Sequence, residues 1–353
     1  MSRLTTHKVK IAGMSACVPK TVEENLSLPI FASEEEARKV IASTGIERHR
    51  RVDIGVTASD LSIKAVERLL EDLRWRAEDV DCMFYVCTSR DYIAPQTSCI
   101  LQDRLGLRQD CFVMDLPLGC SGWVYGLSVI TAMMQNGTFR KGLLIASETN
   151  TANRNPKDRS VRPLFGDAAT VTALEFDEEF ESPYNFVFGV DGSGASAVMA
   201  PYGGMRNPVT VESLREIEVE PGIFRKGTDM IVKGMDVFGF AIKRPPMSIR
   251  ELISGFGINL EEIDFLFLHQ ANKIIDEKIR KSLKIPSEKV PYCIQDFGNV
   301  TSASIPLTMV TQCGEALRGK ANHCIACGFG VGLAWASAEF FTAPLVVSQL
   351  VEY

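Results

Sequence analysis

The sequence predicts a mixed α/β fold of two similar halves, and two observations carry that expectation. Apolar runs of strand length alternate with helical patterns in both halves, which favours largely parallel strands in βαβ-rich units. The chain also repeats itself at an offset of about 180 residues. At 353 residues and 46% hydrophobic content, it can bury a core larger than one average domain needs.

The repeat is legible segment by segment. The stretch from Leu69 through AEDVDCMFYVCTS has the same plan as ELISGFGINLEEIDFLFLHQAN: an amphipathic helix, a short acidic loop and an apolar strand, with Asp81 matching Asp264. DLPLGCSGWVYGLSVITAMMQNGTFRKGLLIASE then parallels DFGNVTSASIPLTMVTQCGEALRGKANHCIACGFG, with Asp115 opposite Asp296. DAATVTALEF parallels VGLAWASAEF at a shorter offset, because the first half carries an extra polar loop from Asn150 to Arg162. The acidic, proline-containing stretch from Glu178 to Asn185 marks the expected boundary, giving halves 1–180 and 181–353. Residues 201–235 are polar and poorly periodic, an excursion able to line a substrate entrance.

Composition narrows the function classes. A formal net charge of -6 leaves no electrostatic footprint for nucleic acid. The first twenty residues lack the apolar core of a secretory signal and no run is long enough to span a membrane, so cytoplasmic residence without membrane association is expected. The ten cysteines are spread through apolar segments, as at Cys82, Cys87, Cys111 and Cys324, and read as buried thiols of a reducing compartment. Cys324 and Cys327 have CxxC spacing, but HCIACGFG reads as a strand, where residues three apart point to opposite faces; a metal or redox site there is rejected.

Three residues stand out as chemistry. Cys120 follows a Pro and Gly turn at the end of an apolar strand and precedes a long helical pattern, so it sits at a helix N-terminus. There the free N–H groups and the dipole favour thiolate over thiol and predict a lowered pKa. An apolar-flanked cysteine is more often simply buried, so its neighbours decide. Of four histidines, His269 ends the strand Ile263–Leu268 and precedes a helix, at the strand-end edge where α/β proteins assemble sites. Asn299 lies at the turn that the repeat places opposite Leu118 of the cysteine loop, where a neutral amide can donate to an oxygen developing negative charge; the plainer role of Gly-Asn is a turn. The glycine-rich run Gly328–Gly332 ends another strand and leaves backbone amides open to an oxyanion.

These residues form motifs that resemble the 3-oxoacyl-(acyl-carrier-protein) synthase III family: CSG at Cys120, HQAN at His269, GN-x-x-SAS-x-P from Asn299 to Pro306, and FGDAA from Phe165 to Ala169. The TGI-x-x-R-R element, here with one residue more spacing from Thr44 to Arg51, and MDVFGFA from Met235 extend the resemblance over nearly the whole chain. It implies a thiolase fold, two similar α/β halves related by internal duplication around a five-layered core, and a homodimer. It also implies a triad of Cys120, His269 and Asn299. The cysteine takes an acyl group from acyl-CoA or an acyl-carrier protein, and His269 and Asn299 stabilise the enolate left when malonyl-carrier protein loses carbon dioxide. The backbone amides of Cys120 and Val331 would meet the oxyanion. No metal and no other cofactor is required.

The resemblance further assigns Arg159, Ala94 and Phe329 to substrate binding. Lys39 and Ser43 stand where family members carry Trp and Arg for the adenine end of coenzyme A, so acetyl-CoA is not the expected primer. Ala94 replaces a bulky Phe that closes the acyl pocket in short-chain enzymes, so a longer or branched acyl group is expected. Lys273, Arg280, Lys281 and Lys284 are spaced to share one helical face and would dock an acidic carrier protein, with Ile274 where the family commonly has arginine. Two other readings compete: acyl transfer from Cys120 to an alcohol or amine without decarboxylation, and a papain-like hydrolase with Cys, His and Asn in the same order. The hydrolase lacks its CGSCW-type setting here and has no place for the duplication.

Overall fold

A computed structural model describes residues 1–353, the side chain of Asn153 excepted. One sheet is built from β2 (Val9–Val18), β3 (Cys82–Val86), β4 (Phe112–Leu116), β5 (Lys141–Thr149), β6 (Asp167–Phe176), β11 (Val346–Val347) and β12 (Val351–Glu352). Its order is β11-β2-β6-β5-β3-β4, with β12 also on β2. The other sheet holds β1 (Ser2–Thr6), β7 (Tyr184–Val190), β8 (Phe265–Leu268), β9 (Asn322–Gly330) and β10 (Ala334–Thr342), in the order β1-β7-β10-β9-β8. Each sheet thus recruits strands from the far end of the chain: β1 pairs with β7, and β11 and β12 pair with β2.

Three apolar clusters define five layers. Between the sheets lie α4 (Gly122–Met134) and α9 (Ser304–Gly319), packed with residues of both sheets, such as Phe84 and Phe340. Buried residues of α4 include Trp123, Val124, Leu127, Ile130 and Met134, as a helix apolar on all sides requires when sheets cover both faces. The outer face of the first sheet is covered by α2 (Ala58–Leu73) and α3 (Thr97–Arg104). The outer face of the second is covered by α6 (Arg244–Phe256) and α7 (Lys273–Ser282). This is the expected thiolase architecture, helix–sheet–helix–sheet–helix.

The duplication shows in matched hydrogen bonds. Asp81 donates its N–H to the Lys141 carbonyl at 2.8 Å, and its carboxylate accepts from the Lys141 N–H at 3.1 Å. Asp264 makes the same pair with His323, at 2.8 and 2.9 Å. The match between Asp115 and Asp296 does not hold. Asp115 is on β4 and accepts from the N–H groups of Thr97 and Ser98 at the start of α3. Asp296 is instead in the short helix α8 (Ile294–Phe297), bound by Arg48; Pro291, without an N–H for a ladder, disfavours a strand there. The expectation of largely parallel strands also fails, because β6, β7 and β10 pair antiparallel with every neighbour they have.

Cys324 packs in the inter-sheet cluster and Cys327 in the cluster beneath α6 and α7, on opposite faces of β9. Within the 201–235 excursion, the segment Ile217–Glu220 pairs with Ile223–Arg225, and Val232 pairs back onto Val198. Among the described residues, no helix is long and apolar enough to cross a membrane. Because Leu127 is fully buried between two sheets that cannot both follow a retreating side chain, Leu127→Ala should cost about 2–5 kcal/mol in chemical denaturation.

Candidate active site

Both halves send the ends of their strands, and the segments that follow, to a cavity of about 260 Å³ whose walls are mostly apolar. Cys120, His269 and Asn299 all line it, together with Phe329, Gly330 and Val331. The wall is completed by Met230, Val232 and Gly234 of the excursion and its end, and by Val237 and Phe238 of α5 (Gly234–Ala241).

Cys120 lies between β4 and α4, in a turn closed by the Gly122 N–H donating to the Gly119 carbonyl at 2.7 Å. The end of β9 presses against this turn. A Cβ on Gly330 would stand 2.6 Å from the Cβ and Sγ of Cys120, and one on Gly328 would stand 2.8 Å from the Ser121 Cα. Only hydrogen fits at either position. The backbone N–H groups of Val331 and Cys120 and the charge of Arg154 all act to lower the pKa of the thiol. Burial outweighs them and pushes the thiol up to about 11. This reverses the lowered value expected from the helix end: taking a thiolate out of water costs more than the nearby dipoles return.

His269 follows β8 directly and continues its ladder, donating its N–H to the Cys327 carbonyl at 2.9 Å. Its ring meets Phe329 edge-on, and burial lowers its pKa to about 3, so the imidazole is neutral at physiological pH. Nδ1 lies 2.7 Å from Ser304 Oγ, which is itself 2.9 Å from the Thr301 carbonyl. The single hydroxyl proton of Ser304 can serve either neighbour, so the ring can hold its own proton on Nδ1 or on Nε2. The rest of HQAN is structural. Gln270 spans the Leu268 carbonyl and the Cys293 N–H, and Asn272 caps α7 by accepting from the Ile274 N–H.

Asn299 is pinned by its backbone to the FGDAA segment: its N–H donates to the Leu164 carbonyl at 2.8 Å and its carbonyl accepts from Gly166 at 3.2 Å. Its Oδ1 accepts from the Thr301 N–H at 2.9 Å, which orients the amide and leaves Nδ2 free to donate into the cavity. In the same segment, the buried Asp167 accepts from the N–H groups of Val52 and Thr151, tying the TGI-x-x-R-R region to the loop after β5.

Other expected positions fall outside the cavity. Arg159 does not line it; its Nη1 pairs with Glu36 at 3.1 Å, on the helix α1 (Glu34–Thr44). Ala94 sits in an exposed loop beside Tyr92 and the 89% exposed Ile93, and it takes no part in the cavity of its own chain. The four-residue basic face is not formed. α7 ends at Ser282, so Lys284 lies beyond it, and Arg280 is held by Glu277 and the Ile285 carbonyl. Lys273 is exposed, and the 70% exposed Lys281 makes only a loose ion pair with Glu277 at 3.9 Å. Sequence reasoning missed Ser304, Thr301, Asn150 and Arg154. Ser304 stood in the SAS motif with no assigned role, whereas Arg154 carried no signal beyond lying in an extra polar loop.

A five-layered thiolase core, with a cysteine, a neutral histidine and an amide in one apolar cavity, defines an acyl-transferring enzyme of the condensing class. Residues 114–198 match the family model described as 3-oxoacyl-[acyl-carrier-protein (ACP)] synthase III, and residues 254–340 match that of its C-terminal part. The chain is 31% identical over 328 residues to the beta-ketoacyl-[acyl-carrier-protein] synthase III of Caldanaerobacter subterraneus, covering 93% of this chain and 96% of the relative. It is 30% identical to that of Clostridium perfringens, covering 93% and 98%. A crystal structure of 3-oxoacyl-(acyl-carrier protein) synthase from Burkholderia xenovorans superposes with a TM-score of 0.93 at 32% identity, over 100% of this chain and 99% of that one. The chain belongs to the 3-oxoacyl-[acyl-carrier-protein] synthase III family.

Two outcomes follow from the site's geometry. Gly330→Ala should slow covalent acylation by about a hundredfold or more by displacing the sulfur, and should lower stability by about 1–3 kcal/mol in chemical denaturation. The pKa of Cys120 lies above the ordinary thiol value, so its alkylation by iodoacetamide in the free protein should still be accelerating at pH 9. A plateau below pH 8 would mean that the helix end outweighs burial.

Proposed function

We propose that this enzyme carries an acyl group on Cys120 and condenses it with a malonyl thioester by decarboxylation. The observation that carries the reading is the shared cavity. Cys120, His269 and Asn299 line one mostly apolar chamber, with Gly330 and Val331 beside them.

In the first half-reaction Cys120 Sγ attacks the acyl thioester carbonyl, and its proton passes to neutral His269. The N–H groups of Cys120 and Val331 hold the oxyanion until the donor thiolate leaves and takes that proton. In the second, the bond from the malonyl methylene carbon to its carboxylate breaks and carbon dioxide departs. The electron pair moves into a thioester enolate, whose oxygen accepts from Asn299 Nδ2 and from His269 Nε2–H, with Ser304 donating to Nδ1. The enolate carbon then bonds to the acyl carbonyl carbon, and the tetrahedral adduct collapses and expels Cys120 thiolate, which takes up one proton from solvent. Apolar walls exclude water that would hydrolyse the acyl-enzyme.

The donor is an acyl-CoA or acyl-carrier protein and the extender a malonyl-carrier protein, with Lys273 and Lys281 of α7 as docking charges and Phe329 as a wall of the acyl site. Residues 1–180 and 181–353 are read as the two duplicated halves. A homodimer fits the open edge of β4 and the exposed apolar residues Tyr92 and Ile93 of the Ala94 loop, which a second copy would cover and which would bring Ala94 to the partner's cavity. Ten free cysteines suit a cytoplasmic location.

Intact-mass analysis after incubation with a panel of acyl-CoAs and acyl-carrier proteins should show one acyl adduct, absent from Cys120→Ala. Adding radiolabelled malonyl-carrier protein should then release carbon dioxide in proportion to acyl-enzyme. An acyl adduct without carbon dioxide release would reassign the enzyme to acyl transfer onto an alcohol or amine.

A further inference from the structure

Arg154 is the one formally charged side chain among the described residues lining the active-site cavity. Its guanidinium lies over the Phe165 ring, 4.6 Å from the centroid, and one amino group donates to Asn150 Oδ1 at 3.0 Å. Nε is buried and has no partner among the described residues. No carboxylate among the described residues pairs with it. The buried carboxylates around it are spoken for: Glu148 accepts from the N–H and hydroxyl groups of Thr88 and Ser89, and Asp167 from Val52 and Thr151.

The carboxylates of Glu148, Asp167 and Asp229 lie near enough to act on the Arg154 charge, but none is hydrogen-bonded to it, so a spare donor faces a mostly apolar cavity, and an anionic ligand there would gain a charge-assisted bond that the protein leaves unmade. Two anions can enter a condensing site: the carboxylate of the extender and a carboxylate at the far end of the acyl group. The extender's carboxylate must leave as carbon dioxide. A guanidinium ion pair would stabilise it in the ground state and raise the barrier to its loss, the opposite of what the step needs. A carboxylate on the acyl chain persists through both half-reactions and gains from the pair throughout.

We propose that Arg154, braced by Asn150 and Phe165, is the subsite for a terminal carboxylate on the acyl group carried by Cys120, and that the preferred donors are monothioesters of dicarboxylic acids. This rests on the reading of Cys120 as the acyl carrier. The subsite also explains why a cavity walled by Leu164, Phe165, Val232 and Phe329 holds a single charged side chain.

The test measures rates of Cys120 acylation by intact mass for matched donors: succinyl, glutaryl and adipoyl thioesters, each against the analogue whose carboxylate is replaced by an isopropyl end (4-methylpentanoyl, 5-methylhexanoyl and 6-methylheptanoyl). Each is offered on coenzyme A and on an acyl carrier protein. Wild type should prefer the carboxylate at one or more lengths by at least about tenfold, the scale of a charge-assisted hydrogen bond. Arg154→Leu should invert that ratio, and Arg154→Lys should retain it. Because Arg154 also acts on the sulfur, its loss can slow every donor; the ratio within a pair removes that effect. The subsite is overturned if wild type favours the isopropyl donor at every length, or if Arg154→Leu slows both members of each pair alike. Adducts from isopropyl donors alone would leave the condensing reading intact, whereas no adduct from any donor would overturn both.

Discussion

The approach of the end of β9 to the nucleophile turn organises this molecule. Cys120 belongs to the first half and Gly328–Val331 to the second, and the absence of side chains at Gly328 and Gly330 lets the two backbones meet at contact distance. A central α4 apolar enough to be covered on both faces makes that meeting possible, because it draws the two sheets to opposite sides of one helical layer. His269, one strand over on β8, and Asn299, tied to Leu164 and Gly166, are then carried to the same point by the frames that hold them.

Electrostatics in this chamber follow from dryness. Burial raises the thiol of Cys120 and lowers the imidazole of His269, so the resting pair is neutral and neither group has to be discharged before an acyl thioester arrives. Preorganised N–H groups act where charge develops, on the sulfur and the oxyanion, and their effect is stronger in an apolar cavity than in water. Arg154 is the exception, a permanent charge where the remaining lining is neutral, and it sets this chamber apart as one suited to a polar acyl end.

Much of this was legible in the residues. The repeat was readable because the same helix–loop–strand plan, anchored by Asp81 and Asp264, solves the same packing problem twice. Cys120, His269 and Asn299 were readable because each stands where a strand or turn ends and a new element begins. Other expectations failed for reasons of context. Strand direction was misjudged, since an apolar run carries no mark of parallel or antiparallel pairing. The basic face on α7 was drawn from helical spacing, but Arg280 satisfies its donors locally and the helix stops before Lys284.

By itself, the sequence determined the two-half α/β plan, the three side chains that meet in the cavity and the glycines that let β9 close on Cys120, because periodicity, turn chemistry and repeats are local properties of the chain. Only the tertiary structure decided the protonation states, the choice of Ser304 as partner to His269, and the presence of Arg154 in the acyl chamber. Each of those depends on which distant groups share a low-dielectric space, and that is set by the packing of five layers, not by spacing along the chain.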